Sequence, residues 1–145
     1  MSSRLEMSME LFNSGFNCAQ SVFAPFCEKY GLSREYALKI SSGLGAGVRS
    51  GEICGVVSGA VLVVGLKHGQ SIAEDSASKS NCYAKTSEFI DHLKMKSRFI
   101  ICRELLGCDV STKEGHEQAK KLNLFKTICA NMVKNAVVTL EELGY

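Results

Sequence analysis

The stretch Ile53–Leu66, ICGVVSGAVLVVGL, contains no charged residue and is flanked by Glu52 and Lys67. It is shorter than the roughly 20 apolar residues that a membrane-spanning helix needs, so we expect a buried central helix and no membrane span. Gly55 and Gly59 lie four residues apart, on one helix face, where they would let another backbone approach closely. The β-branched valines of this stretch also permit a strand, which stays open as the alternative.

Apolar residues at helical spacing predict further helices before the central one. The first contains Leu5, Met9 and Phe12 and stops near Gly15, and the second begins after the cap residue Asn17. Gly31 ends the second helix, and Ser33 begins a third. A flexible glycine-rich loop, Gly43–Gly51, then leads to the central helix.

Three more helices are predicted after the central one. The pattern predicts a long helix from about Ser78, a short one over Phe99–Leu106 that Gly107 closes, and a last one from Leu124 to Leu140. We therefore expect an all-α fold, a compact bundle of about six to eight helices around the glycine-containing central helix. The length of 145 residues and the hydrophobic content of 46% indicate a single domain, residues 1–145.

Charge and the N-terminal segment restrict the class of partner and the compartment. The 17 basic and 15 acidic side chains are interspersed, with no basic stripe, so we expect no nucleic-acid partner. The N-terminal segment has no apolar signal core, and we expect a cytoplasmic protein. In that reducing compartment, seven cysteines indicate metal binding or redox chemistry rather than a framework of structural disulfides.

Cys18, Cys54, Cys102 and Cys129 are far apart in sequence, yet each lies at a predicted helix start or on a buried helix face. Cys18 and Cys54 fall in first turns, where free backbone N–H groups favour a thiolate, so we expect lowered pKa values for both. Arg103 could favour a thiolate at Cys102 or could pair with Glu104 instead.

Four thiolates assembled by folding could bind an iron–sulfur cluster or Zn²⁺, because soft sulfur donors suit both. The local C-x₂-C pairs that identify zinc ribbons and ferredoxins are absent from the sequence. The pattern alone is equally compatible with four small core residues.

Cysteines and glycines recur in an ordered set of segments, which are Gly15–Ser21, Gly43–Gly47, Cys54–Ala60 and Cys102–Gly107, followed by Cys129. These segments resemble the C_GCAxxG_C_C family, whose name assigns its members a redox role. A single departure is Val56, which takes the position of the motif alanine. The resemblance implies that Cys18, Cys54, Cys102 and Cys129 are the functional thiols, whereas Cys27, Cys82 and Cys108 are core or surface thiols.

The family is also similar to a domain of split-Soret cytochromes, which implies electron transfer through a cysteine-bound cluster, most readily [2Fe–2S]. The sequence has no C-x-x-C-H, so we expect no covalently attached haem. The resemblance further implies a redox partner protein or a transporter-associated partner.

Other motifs give weaker indications. The loop Gly43–Gly47 lacks the GK[ST] of a P-loop, so we do not expect it to bind phosphate. Three histidines, His68, His92 and His116, lie in polar surroundings and are expected to be solvated rather than ligands. Of the three, His68 is the best candidate for a metal ligand.

Three function classes follow. The four thiols could hold a [2Fe–2S] cluster for electron transfer or cycle between dithiol and disulfide. They could instead hold Zn²⁺ or another soft metal in a non-catalytic binding protein, or be core residues of a helical interaction module. The apolar faces of the central and last helices could support a homodimer or be covered within one chain.

Overall fold

A computed structural model describes residues 2–145, and over these residues the chain forms eight α-helices with no β-strand beyond one isolated bridge. The all-α prediction is confirmed. In chain order the helices are α1 (Ser3–Asn13), α2 (Cys18–Cys27), α3 (Arg34–Ser41), α4 (Gly55–His68), α5 (Ser76–Lys96), α6 (Cys102–Leu106), α7 (Lys113–Lys121) and α8 (Ala130–Glu142).

Helix α4 lies at the centre and packs against α2, α5 and α8. The prediction of a buried central helix is confirmed, and the strand alternative is wrong. The helix begins at Gly55 because the backbone of Ile53 pairs with Ile101 in the isolated antiparallel bridge. Its core residues are at most 2% exposed, and they are Val56, Val57, Ala60, Val63 and Val64.

Two of the three glycines of α4, Gly55 and Gly59, bring its first turns against the start of α2. A Cβ atom on Gly59 would lie 2.6 Å from the carbonyl oxygen of Ala19, and one on Gly55 would overlap the sulfur of Cys18. Only a residue without Cβ allows two helix backbones to approach this closely. The small-residue face predicted for α4 is therefore covered by α2.

Side-chain caps begin the helices as the sequence predicts. Asn17 accepts a hydrogen bond from the Gln20 N–H while Gln20 accepts one from the Asn17 N–H, which is a complete capping box. Ser33 caps α3. Gly31 adopts a left-handed conformation, φ 85°, at the end of the turn that follows α2.

The glycine-rich segment predicted as a flexible loop forms short helical turns instead. Ala46, Val48 and Arg49 have φ between 54° and 57°, so the chain makes a left-handed turn that ordinary residues adopt rarely. A Cβ on Gly47 would lie 2.7 Å from the carbonyl oxygen of Glu52, which explains glycine there. The turn carries the chain from α3 to the start of α4.

Helix α6 is shorter than the predicted Phe99–Leu106. It begins at Cys102 because Ile101, the residue before it, is extended and paired with Ile53.

Helix α7 has no counterpart among the predicted helices. Helices α6 and α7 contribute to a second hydrophobic cluster, Cys102, Leu106, Val110 and Ala119, which packs with Phe125, Ile128 and Cys129.

The apolar faces that could have supported a homodimer are covered within the chain. On α8 the buried residues include Met132, Val133, Ala136 and Val137. The homodimer stays a prediction, and the apolar faces of α4 and α8 give it no support because they are buried within the chain. Among residues 2–145, no helix is both long and apolar enough to cross a membrane.

Replacing Gly59 with alanine should destabilise the protein by about 1–3 kcal/mol, because the new methyl group would overlap the α2 backbone. The matched control is Gly65→Ala on the same helix, where a Cβ meets nothing within 4 Å. That control should stabilise the protein by about 0.5–1 kcal/mol through helix propensity. Urea unfolding followed by circular dichroism measures both, and equal effects would contradict the packing described here.

Candidate functional site

The four cysteines predicted as site residues, Cys18, Cys54, Cys102 and Cys129, line one cavity of about 470 Å³. The cavity lies between the main hydrophobic core and the second cluster, and residues of both form its wall. Folding thus brings together four thiols that are remote in sequence.

Cys18 is the first residue of α2, and its position is fixed by the cap before it. Asn17 accepts from Gln20 N–H at 2.9 Å and also donates to the carbonyl of Ser42 at 2.9 Å. The first backbone N–H groups of a helix have no partner within it, so those of Cys18 and Ala19 are available to the sulfur.

The isolated bridge holds the chain segments of Cys54 and Cys102 side by side. The N–H of Cys54 donates to Ile100 at 2.7 Å, and that of Cys102 donates to Glu52 at 2.6 Å. Outside the bridge, the Arg103 guanidinium donates to the Glu52 carboxylate at 2.7 Å. Arg103 therefore forms an ion pair with Glu52. The sequence had suggested two other roles, which were stabilising a thiolate at Cys102 or pairing with Glu104.

Cys129 is the last residue of a π-helical segment, Phe125–Cys129, that leads directly into α8. A π-turn is wider than an α-turn by one residue, and such segments are frequent at functional sites. The side chain is half-buried and reaches the cavity wall.

The thiols of Cys18 and Cys54 interact, and they titrate in opposite directions. The hydrogen bond from Cys54 lowers the pKa of Cys18, and the N–H groups of Ala19, Cys18 and Ala46 add to this effect against the cost of burial. The same hydrogen bond, then burial, raises the pKa of Cys54. The predicted lowering is confirmed for Cys18 and wrong for Cys54, because Cys54 donates the proton of the pair.

Burial dominates at the other two thiols. It raises the pKa of Cys102 to about 11 and that of Cys129 to about 12, and the nearby Cys18 contributes to both. Both side chains are therefore protonated thiols at neutral pH. Arg103 lowers the pKa of Cys102, but less than burial raises it.

The remaining cysteines do not line the cavity. Cys27 is fully buried in the core and its thiol donates to the carbonyl of Ala24. Cys82 is half-buried against the main core, and Cys108 is half-buried with its thiol 3.5 Å from the carbonyl of Gly115.

Sequence reasoning missed most of the cavity wall. His116 and Lys126 line the cavity, whereas His68, the histidine favoured over the other two as a metal ligand, lies against Tyr145 elsewhere. No local motif marks His116, because α7 brings it to the cavity only in the tertiary fold. The apolar wall consists of Phe12, Phe16, Leu105, Leu106, Val110, Phe125, Ile128 and Met132.

The thiols do not form a preassembled site for a single ion. In the part of the chain described, residues 2–145, no three His, Cys, Asp or Glu side chains are grouped as ligands of one metal. The arrangement that the structure does show is the Cys18 sulfur lying against Gly55, the residue after Cys54, with all four cysteines in the wall of one cavity.

Comparison with known proteins agrees with the resemblance seen in the sequence. A family model described as "Putative redox-active protein (C_GCAxxG_C_C)" matches residues 16–143. That range contains the four cavity cysteines and the two glycines, Gly55 and Gly59, that contact α2. No curated protein matches the chain significantly, and no solved structure does.

The order of thiol acidity predicts selective alkylation. At neutral pH, iodoacetamide should modify Cys18 before the other cavity cysteines, because only a thiolate is nucleophilic and burial keeps the others protonated. Peptide mapping by mass spectrometry against pH measures the order.

Two variants at Cys54 test the cause. Cys54→Ala removes the donor to Cys18 and should slow alkylation of Cys18 at neutral pH by roughly tenfold, as expected for a lost hydrogen bond to a charged acceptor. Cys54→Ser keeps a donor and should slow it less. Equal rates in wild type and Cys54→Ala would show that Cys54 does not set the acidity of Cys18.

Proposed function

We propose that this chain, which belongs to the C_GCAxxG_C_C family of redox-active proteins, cycles Cys18 and Cys54 between a dithiol and a disulfide. The observation that carries the proposal is that Cys18 and Cys54 line the same cavity, and that the Cys18 sulfur lies directly against Gly55, the residue after Cys54. A disulfide requires two sulfurs that can approach to about 2.05 Å, and the proposal is that these neighbouring residues can bring their sulfurs to that distance.

The roles of the two thiols follow from their acidity. The Cys18 thiolate attacks a disulfide of the redox partner, whose S–S bond breaks to give a mixed disulfide and one partner thiolate. Cys54, losing its proton, then attacks the Cys18 sulfur and releases the second partner thiolate. Two electrons pass to the partner, and the two thiolates take up the Cys54 proton and one proton from water.

The backbone supports this assignment of the nucleophile. The N–H groups of Cys18 and Ala19 come from the start of α2, and that of Ala46 comes from the left-handed turn. These groups lower the energy of the thiolate without supplying a proton to it, as a helix N-terminus does at other reactive cysteines.

A second candidate is a [2Fe–2S] cluster held by Cys18, Cys54, Cys102 and Cys129. The observation that favours it is that all four thiols line one largely apolar cavity, and soft thiolate donors in that number suit such a cluster. A bound cluster would supply one-electron transfer. Cys102 and Cys129 would have to lose protons at binding, so loading should improve as pH rises. Zn²⁺ on the same thiols is the colourless alternative.

Oxidation of the reduced protein tests the dithiol proposal. Diamide should produce a Cys18–Cys54 disulfide, identified by peptide mapping, in wild type and in the control Cys82→Ser, which changes a half-buried thiol outside the cavity. The disulfide should be lost in both Cys18→Ser and Cys54→Ser. Oxidation that instead pairs other cysteines at random would contradict the proposal.

Metal analysis with a visible spectrum, on protein purified without oxygen, tests the alternatives. Stoichiometric iron with a visible band that Cys54→Ser abolishes would support the cluster. Zinc without colour would support a structural or metal-handling site. If the protein contains neither metal and forms no specific disulfide, the cysteines are best explained as core residues of an interaction module.

A further inference from the structure

The cavity has the size and lining of a small-molecule site. Its volume of about 470 Å³ falls within the range of ligand pockets, about 300–1,000 Å³. Aromatic and aliphatic side chains form most of the wall, and its two amide side chains are Asn13 and Asn17, of which Asn17 is engaged in capping α2. The groups available for chemistry inside it are the thiols.

The polar features of the wall favour an anion. Lys126 and His116 both line the cavity and are exposed, so they lie where it meets solvent. The His116 ring packs on Phe125 with the ring centres 5.2 Å apart. Over residues 2–145, Lys126 makes no salt bridge and no Asp or Glu lines the cavity, so its charge is available to a ligand.

The thiols are recessed. Cys54 and Cys102 are each 7% exposed, and Cys18 is half-buried behind the apolar wall. Attack on a disulfide requires the nucleophile to approach one sulfur from the side opposite the other, so the partner's disulfide must enter the cavity. A small molecule can do this without rearrangement, whereas a disulfide fixed between two folded backbones cannot.

We propose that the cavity binds a low-molecular-weight disulfide that has an apolar body and a carboxylate, with the disulfide at Cys18 and the carboxylate at Lys126. This inference rests on the dithiol cycle of the proposed function. The apolar body contacts Phe12, Phe125 and Ile128.

The reaction is a two-electron exchange. Cys18 forms a bond to one ligand sulfur, the ligand S–S bond breaks, and the first ligand thiolate leaves. Cys54 then forms the Cys18–Cys54 bond and displaces the second ligand thiolate. The ligand is reduced to two thiols, which take one proton from Cys54 and one from water, and the protein dithiol is oxidised.

Three disulfide probes test the inference on reduced protein in which Cys82 and Cys108 are changed to serine. They are 5,5′-dithiobis(2-nitrobenzoate), which is aromatic and anionic, 2,2′-dithiodipyridine, which is aromatic and neutral, and bis(2-hydroxyethyl) disulfide, which is small and polar. Stopped-flow absorbance follows the aromatic probes, and mass spectrometry follows the third. Both aromatic probes should show rates that saturate with concentration and are lost in Cys18→Ser.

Charge variants test the carboxylate contact. Lys126→Gln should raise the half-saturating concentration of the anionic probe about two- to fivefold, as expected for an exposed ion pair, and leave that of the neutral probe unchanged. The matched control Lys79→Gln removes the same charge from α5, outside the cavity, and should change neither.

Two results would overturn the inference while leaving the proposed function intact. One is a linear, unsaturated rate with all three probes while diamide still forms the Cys18–Cys54 disulfide. The other is faster reaction with the disulfides of insulin than with the aromatic probes, which would assign the site to a protein partner. Failure of diamide to form the Cys18–Cys54 disulfide would instead remove the proposed function itself.

Discussion

The close contact between the first turns of α2 and α4 is the constraint on which the rest of the structure depends. Gly59 faces the backbone of Ala19, and Gly55 faces the sulfur of Cys18, so neither position has room for a Cβ. This approach places the start of both helices at one cavity. It therefore explains why a cysteine and two glycines occur together in the α4 segment, since the glycines create the contact in which the two thiols meet.

Cys18 and Cys54 show that a helix start does not by itself determine the acidity of a thiol. Both lie at helix N-termini, but Cys18 receives the hydrogen bond of the pair and three backbone N–H contacts, whereas Cys54 donates that bond and is more deeply buried. Desolvation and the neighbouring charge oppose ionisation at Cys54. The balance of these effects gives the pair one nucleophile and one proton donor.

Two departures from regular backbone border the cavity. The left-handed turn through Ala46 directs an N–H at Cys18, and the π-helical segment brings Cys129 to the cavity wall. Strained or unusual backbone persists where the surrounding structure holds it, and it is concentrated at functional sites. The position of both departures beside the thiols agrees with a site whose geometry the fold maintains.

The sequence by itself determined the helical class, the central position of α4 and the caps at Asn17, Ser33 and Gly31, because periodicity and capping depend on neighbours within a few residues. It also identified the four cysteines through family motifs. The tertiary structure alone decided the start of α6, which depends on the Ile53–Ile101 bridge, the positions of His116 and Lys126 at the cavity, and the opposite titration of Cys18 and Cys54. These features depend on contacts between residues remote in sequence and on burial, and no local pattern encodes either.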